Sequence, residues 1–366
     1  MTKRGLVPER GRSREPKYGS PIKPVKLEKR TRVLDLVEQF KSTSFQSRNI
    51  YSAYDVLRKM QIDRARPTVF LGLAGAMVPA GMKGALMDMI KYKMVDVIVS
   101  TGANLTHDVI EALGFPHLVG TPVSNDLELR KSDYCRIYDT YLADKGFNAE
   151  EDLVLSVLSQ MEAREYSSRE FFDALGGRLS PRKSFVGLAA RSGVPIYCPA
   201  LCDSDIGIAL TLHYARNLGT PTVSISPIRD NFEIYQIYRR SKKTGAIFIG
   251  GGVPRNYIQQ LGVISEAFRL DRADKNLQMG HDYGVLITTD SPRWGGLSGC
   301  TFSESISWGK YSVDSYTASV YADATIALPL LVGSLVQKLA DKLASKPRLE
   351  LIWNGPNLTK VVRRKD

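Results

Sequence analysis

The stretch TVFLGLAGAM, residues 68–77, decides the reading of the fold. Six uncharged residues, 68–73, run directly into Ala74-Gly75-Ala76 and then towards a helical candidate near 82–93. A strand that is apolar on both faces must be covered on both faces, which is the situation of an interior strand in a parallel sheet. Working outward, the same pattern returns at VDVIVST (95–101), PIYCPA (195–200), PTVSIS (221–226), AIFIGG (246–251), YGVLITT (283–289) and ASVYA (318–322). Helical candidates fall between them near 150–163, 204–217, 256–269 and 327–343. Short strands alternating with longer helical stretches predict an α/β fold, a parallel sheet with helices on both faces.

The chain has 366 residues and a formal net charge of +12. That charge is unevenly spread. Residues 1–32 hold eleven Lys or Arg against three Asp or Glu, so 11 − 3 = +8 lies in this segment. It is rich in Pro and Gly and poor in large apolar residues, which predicts a flexible basic N-terminal arm. No nucleic-acid-binding motif accompanies it, so a solvated arm is the reading preferred over nucleic-acid binding. No run of about 18 apolar residues predicts a membrane span, and the charged N-terminus is unlike a signal peptide. A cytoplasmic protein is expected. Cys135, Cys198, Cys202 and Cys300 are too few and too scattered for a disulfide framework, and no histidine stands beside them to suggest a metal.

Ligands of open α/β sheets bind outside the carboxyl ends of the strands, so the residues following each strand carry the functional information. Here they are small or polar: Gly75 and Ala76, then Thr101-Gly102-Ala103-Asn104, Cys202-Asp203-Ser204-Asp205, Gly250-Gly251-Gly252, Thr288-Thr289-Asp290 and Ala322-Asp323-Ala324. Small residues admit a ligand to the backbone, and Asp or Thr can bond ribose hydroxyls, so this edge suits a dinucleotide. Each has a structural reading as well, the glycines as a tight turn and Asp203 and Asp323 as helix caps. A G-x-G-x-x-G fingerprint is absent.

The segment TTDSPRWGGLSGCTFSESISWGK, residues 288–310, is a long glycine-rich connection of the kind that usually carries function. It ends in Trp308-Gly309-Lys310, an aromatic wall, a residue without a side chain and a primary amine. An amine that attacks a carbonyl or an imine must be neutral, which burial or a neighbouring cation brings about. Trp308 could supply that wall or hold a substrate ammonium by cation–π attraction, and Glu304 could pair with such an ammonium. The alternative is a surface lysine beside a packing tryptophan.

The run from Glu304 through Trp308-Gly309-Lys310 to Tyr321-Ala322-Asp323-Ala324 resembles the active-site region of the deoxyhypusine synthase family. Thr43-Ser44-Phe45-Gln46, Phe70-Leu71-Gly72, Met94 to Val99, Pro199-Ala200-Leu201 with Asp203, and Gly250 to Val253 recur in the family's order, over roughly residues 33–345. The resemblance implies a Rossmann-like, doubly wound sheet in one large NAD-binding catalytic domain (33–345), followed by a C-terminal extension (346–366). It also implies a homotetramer with active sites at subunit interfaces. In the family, NAD takes a hydride from spermidine, diaminopropane leaves, and the aminobutylidene group passes to the active-site lysine. From there it goes to an acceptor amine, the lysine of the translation initiation factor 5A precursor, and is reduced. Carried over by position, Lys310 is the nucleophile, and Glu304, Trp308 and Gly309 line the substrate channel. The cofactor residues would be Gly75, Ala76, Met77, Val78, Pro79, Thr101, Gly102, Ala103, Asp203, Gly251, Thr289, Asp290, Asp323 and Ala324. No metal is implied.

The chain departs from the family where the polyamine is held. A pair of acids is replaced by Thr106-His107, a histidine by Asn256, and two further acids by Ile208 and Leu297, with Asp205 nearby as a substitute. Burying an ammonium without a partner costs several kcal/mol, so such losses bear on the substrate. Besides transfer to factor 5A, three alternatives follow. They are homospermidine synthesis with putrescine as acceptor, a lysine-dependent reaction on another amine or guanidino compound, and a non-catalytic regulatory paralogue.

Overall fold

In the computed structural model, which describes residues 19–272 and 280–364, the stretch quoted first becomes β1 (Thr68–Leu73), an interior strand with every residue buried. The other strands of its sheet are β2 (Val97–Ser100), β3 (Ile196–Tyr197), β4 (Thr244–Ile249), β5 (His281–Thr288) and β6 (Tyr311–Tyr321). They lie in the order β6-β5-β4-β1-β2-β3, and every pairing is parallel. Strands added on one side of β1 and then on the other make a doubly wound sheet whose direction of winding reverses between β1 and β4.

Side chains alternate between two cores. Phe70, Val97, Val99, Ala246, Phe248 and Leu286 face one, together with Ile234 and Tyr238 of the helix Pro227–Arg239 and Ile258 and Leu261 of the helix Gly252–Arg272. Leu71, Leu73, Ile98, Ile247, Val285 and Ile287 face the other, covered by the helices Phe45–Ile62, Lys83–Lys91 and Ala324–Ala344. Two covered faces account for the uninterrupted apolar strands. The helix Ala324–Ala344 is long and apolar enough to cross a bilayer, yet Leu328, Leu331, Leu335, Leu339 and Leu343 are buried in the core.

The expected strand at 221–226 is not in this sheet. Only Ser224–Ile225 is extended, and it pairs with Glu165–Tyr166 apart from the main sheet. Ser226 caps the next helix through the Arg229 N–H, and Pro227 occupies its first turn, so the chain leaves the extended conformation at once. A missed element is the hairpin Arg348–Asn354 with Asn357–Arg364, whose Leu358 is buried in the core of Phe70 and Phe248 and bonded to Gln236. Of the basic arm, residues 1–18 lie outside the described residues, while 19–32 run exposed along the first helix, with Lys23 and Lys26 N–H groups donating to Ser42 and Gln39.

Two buried carboxyls lie among the helices, and the first holds a helix in place. Asp108 accepts from Ser184 Oγ at 2.5 Å and from the Phe185 and Val186 N–H groups at 3.0 Å, satisfying the N-terminus of the helix Phe185–Ser192. Asp108→Ala leaves these donors unmet and should cost about 3 kcal/mol of unfolding free energy, read by urea denaturation. Glu150, on the helix Asp144–Leu158, is fully buried with neither oxygen hydrogen-bonded. Burial first, then Asp205 and Glu151, pushes its carboxyl up to about 8. Its folded-state pKa lies above the unfolded value of 4.5, so its contribution is intact below pH 4.5 and is lost as pH rises towards 8. Glu150→Gln removes this titration. The variant should match wild type near pH 4.5 and exceed it by roughly 2 to 4 kcal/mol at pH 8, in denaturation series across that window.

Candidate functional site

All six strands of the main sheet end on one cavity of about 450 Å³ at their carboxyl edge. Gly75 follows β1, Thr101 and Gly102 follow β2, Asp203 follows β3, Gly251 follows β4, Thr289 follows β5, and Asp323 and Ala324 follow β6. Met77 completes the set expected from sequence that does line this space. The N-termini of three helices, at Gly102, Gly252 and Ala324, open onto it. Unpaired N–H groups and aligned peptide dipoles at such ends favour a phosphate or pyrophosphate, and the neighbouring Asp and Thr side chains can take hydroxyl groups.

Local chemistry shapes the cavity. Asn104, fully buried, accepts from the Met77 N–H at 2.9 Å and donates to Gly75 O at 2.9 Å and Thr101 Oγ1 at 3.1 Å, tying the turn after β1 to the helix after β2. Gly75, Gly250 and Gly252 have positive φ of 72°, 74° and 61°, a region that other residues enter at a cost. Asp323 is a helix cap as well as a cavity residue: its Oδ1 accepts from the Thr325 N–H at 2.7 Å. Asp203 caps nothing, since Ser204 caps the helix Asp205–Arg216.

Other expected cofactor residues fall outside the lining. Val78 and Pro79 are buried beneath the turn, Ala76 and Ala103 sit beside lining residues, and Asp290 bonds the Ser291 N–H. Thr106 and His107 are not in a loop. They are buried on the helix Gly102–Ala112, where Thr106 Oγ1 accepts from the Ile206 N–H and His107 Nδ1 bonds His117 Nε2 at 3.0 Å. His117 in turn bonds Glu111, which pairs with Lys83. Burial first, then His117, lowers the His107 imidazole to about 4, so it is neutral at pH 7. Asp205 is half-buried at a helix start, where burial raises its carboxyl. None of the four histidines lines the cavity.

The expected amine is well defined. Lys310 is only 7% exposed, and its Nζ donates to Asn256 Oδ1 at 3.0 Å and lies 5.6 Å from the centre of the Trp308 ring. Burial is the largest influence on it and lowers its pKa; Arg255 also lowers it, while Cys300 and Glu304 act in the opposite sense. Gly309 explains the triplet. With φ of +69° it terminates the helix Phe302–Ser307 in a left-handed turn that a side chain would strain. Its carbonyl also lies 2.5 Å from where a Cβ on Gly262 would stand, so loop and helix touch backbone to backbone. Glu304, by contrast, is exposed, and Trp308 is 63% exposed. Lys310 does not line the cavity of its own chain.

Sequence reasoning passed over Arg255, Ser298 and Cys300. Arg255 donates to the carbonyls of Leu297, Ser298 and Cys300, and Ser298 Oγ accepts from the Gly252 N–H at 3.1 Å. The available signal was an arginine placed four residues after Gly251 in the first turn of a helix, where a cation opposes the dipole.

The deoxyhypusine synthase family profile matches residues 35–335. A Methanosarcina acetivorans protein named "Probable deoxyhypusine synthase 2" is 41% identical over 341 residues, covering 92% of this chain and 95% of the relative. A Chlorobaculum tepidum "Deoxyhypusine synthase-like protein" is 39% identical over 324 residues, covering 87% and 90%. The crystal structure of an Entamoeba histolytica chain described as a deoxyhypusine synthase shares the fold, with a TM-score of 0.57 at 20% identity over 86% of this chain and 96% of that one. With the profile spanning most of the sheet and the relatives nearly all of the chain, this protein belongs to the deoxyhypusine synthase family.

Proposed function

We propose that this protein is a cytoplasmic, NAD-dependent transferase that moves the aminobutyl group of spermidine, through an imine on Lys310, to an acceptor amine. The observation that carries this reading is Lys310 itself: a buried primary amine with a lowered pKa, fixed by Asn256 beside an aromatic face. Such an amine has a larger neutral fraction at pH 7 than a surface lysine, which is what nucleophilic attack on an imine requires. The factor 5A precursor is the acceptor proposed, in keeping with the names of the archaeal relatives.

The cavity supports NAD through its three helix N-termini and its Asp203 and Asp323 carboxylates. When bound, the dinucleotide supplies hydride acceptance from the donor amine and hydride return to the product imine. The rest falls to side chains of this chain. Trp308 presents a π face to a polyamine ammonium, and Glu304 offers a carboxylate at the same mouth. Lys310 Nζ adds to the imine carbon of the oxidised donor, the bond from that carbon to the diaminopropane nitrogen breaks, and diaminopropane leaves with the proton given up by Nζ. The acceptor amine later adds to the lysine imine and releases Lys310 in the same manner. Because Lys310 does not line its own cavity and Trp308 is largely exposed, we propose a homotetramer in which the amine of one subunit faces the cavity of another.

The test is a mass balance with NAD, spermidine and either the factor 5A precursor or putrescine. Diaminopropane release with a modified protein lysine is the expected result. Homospermidine would reassign the acceptor, and no diaminopropane with either would overturn the reading. Borohydride reduction during turnover should add an aminobutyl mass to the peptide containing Lys310. Lys310→Ala should lose that adduct and reduce transfer at least about a thousandfold. A folded Lys310→Ala variant that still formed product would remove the lysine from the mechanism.

A further inference from the structure

Arg255 is only 1% exposed, yet among the described residues its hydrogen-bond acceptors are three backbone carbonyls and no carboxylate. Its guanidinium donates to Leu297 O and Ser298 O at 2.9 Å and to Cys300 O at 2.5 Å, and it lies 5.8 Å from the Phe248 ring centre and 5.9 Å from that of Phe302. Burying a cation without a counter-charge costs several kcal/mol, and an apolar side chain of similar size would avoid the expense. The groups it touches indicate what is gained. Ser298 lines the cavity, receives the Gly252 N–H, and sits so close to Gly251 that a Cβ there would lie 2.3 Å from Ser298 Oγ. Asn256, the next residue along the helix, holds Lys310 Nζ.

We propose that Arg255 is a positioning residue for Lys310, its buried guanidinium clamping the 297–300 segment so that one side chain fixes both the wall of the cofactor cavity and the setting of the reactive amine. The inference rests on Lys310 being the reacting amine. Among the described residues, Cys300 and Glu304 favour the ammonium of Lys310 and Arg255 opposes it, Glu266 Oε2 lies 3.3 Å from where a Cβ on the adjacent Gly309 would stand, and Asn256 and Trp308 are neutral contacts. Arg255 is thus the neighbouring cation that adds to burial in favouring the neutral amine, against the opposing effects of Cys300 and Glu304.

The experiment uses the full-length protein and two variants, Arg255→Met and Arg255→Lys. Lys310 acylation by acetic anhydride is followed by peptide mass spectrometry across pH, and NAD affinity by titration of intrinsic fluorescence. In Arg255→Met the midpoint of Lys310 labelling should move up, slowing labelling near pH 8, and NAD should bind about tenfold more weakly. Arg255→Lys keeps the charge but cannot span three carbonyls, so the midpoint should return towards wild type while NAD binding stays weakened. A purely structural role would lower stability in both variants without moving the midpoint.

An unmoved midpoint in folded Arg255→Met overturns the proposal, as does an Arg255→Lys variant that binds NAD like wild type. The second result decides the matter if Arg255→Met does not fold. Labelling needs no turnover, so wild type that released no diaminopropane while Arg255→Met shifted the midpoint would sink the proposed reaction and leave this assignment standing.

Discussion

Parallel pairing of β1 with β2 on one side and β4 on the other is the constraint from which the site follows. Parallel strands all end at the same edge, so each connection must start there, and the residues that start it become neighbours however far apart they lie in the chain. Gly75 and Asp323 line one cavity through this geometry alone. Pairing on both sides of β1 also separates the neighbouring helices at the point where the winding reverses, and this opens the space that the strand ends surround.

What was legible in the sequence tracks how local its cause was. The bounds of β1 agree with the apolar run because burial on both faces leaves no polar residue to blur them. PTVSIS has the composition of a strand too, but membership of a sheet depends on a partner, and here Pro227 and the Ser226 cap take the chain into a helix. The strand-end residues were readable because glycines and small polar groups mark a sharp change of direction. Val78, Pro79, Thr106 and His107 were not, since whether they face the cavity or the core is decided by helix phase and by neighbours from remote segments. Arg255 was hidden for a similar reason. A charged residue reads as solvated until the carbonyls that surround it are known.

Polar groups within the helical layer form a second pattern. Asp108, Glu150 and the series His107, His117, Glu111 and Lys83 lie among helices on one side of the sheet; burial moves Asp108, Glu150 and His107 from their ordinary range, while Glu111 pairs with His117 and Lys83. The helix Gly102–Ala112 carries both kinds of residue. Its first turn faces the cavity through Gly102 and is fastened by Asn104, while its later turns carry Thr106, His107 and Asp108 into the interior. Thr106 and His107 thus pack inside the protein, while Glu304 and the face of Trp308 lie at the surface near Lys310.

The hairpin Arg348–Asn354 with Asn357–Arg364 carries the structure past the family profile. The family profile stops at residue 335, inside the helix Ala324–Ala344, but Leu358 contributes to the core beneath Phe70 and Phe248 and is anchored through Gln236. The profile and the core therefore draw different borders on the same chain. Because a chain is made from its N-terminus, Phe70 and Phe248 emerge from the ribosome well before Leu358 is available to cover them.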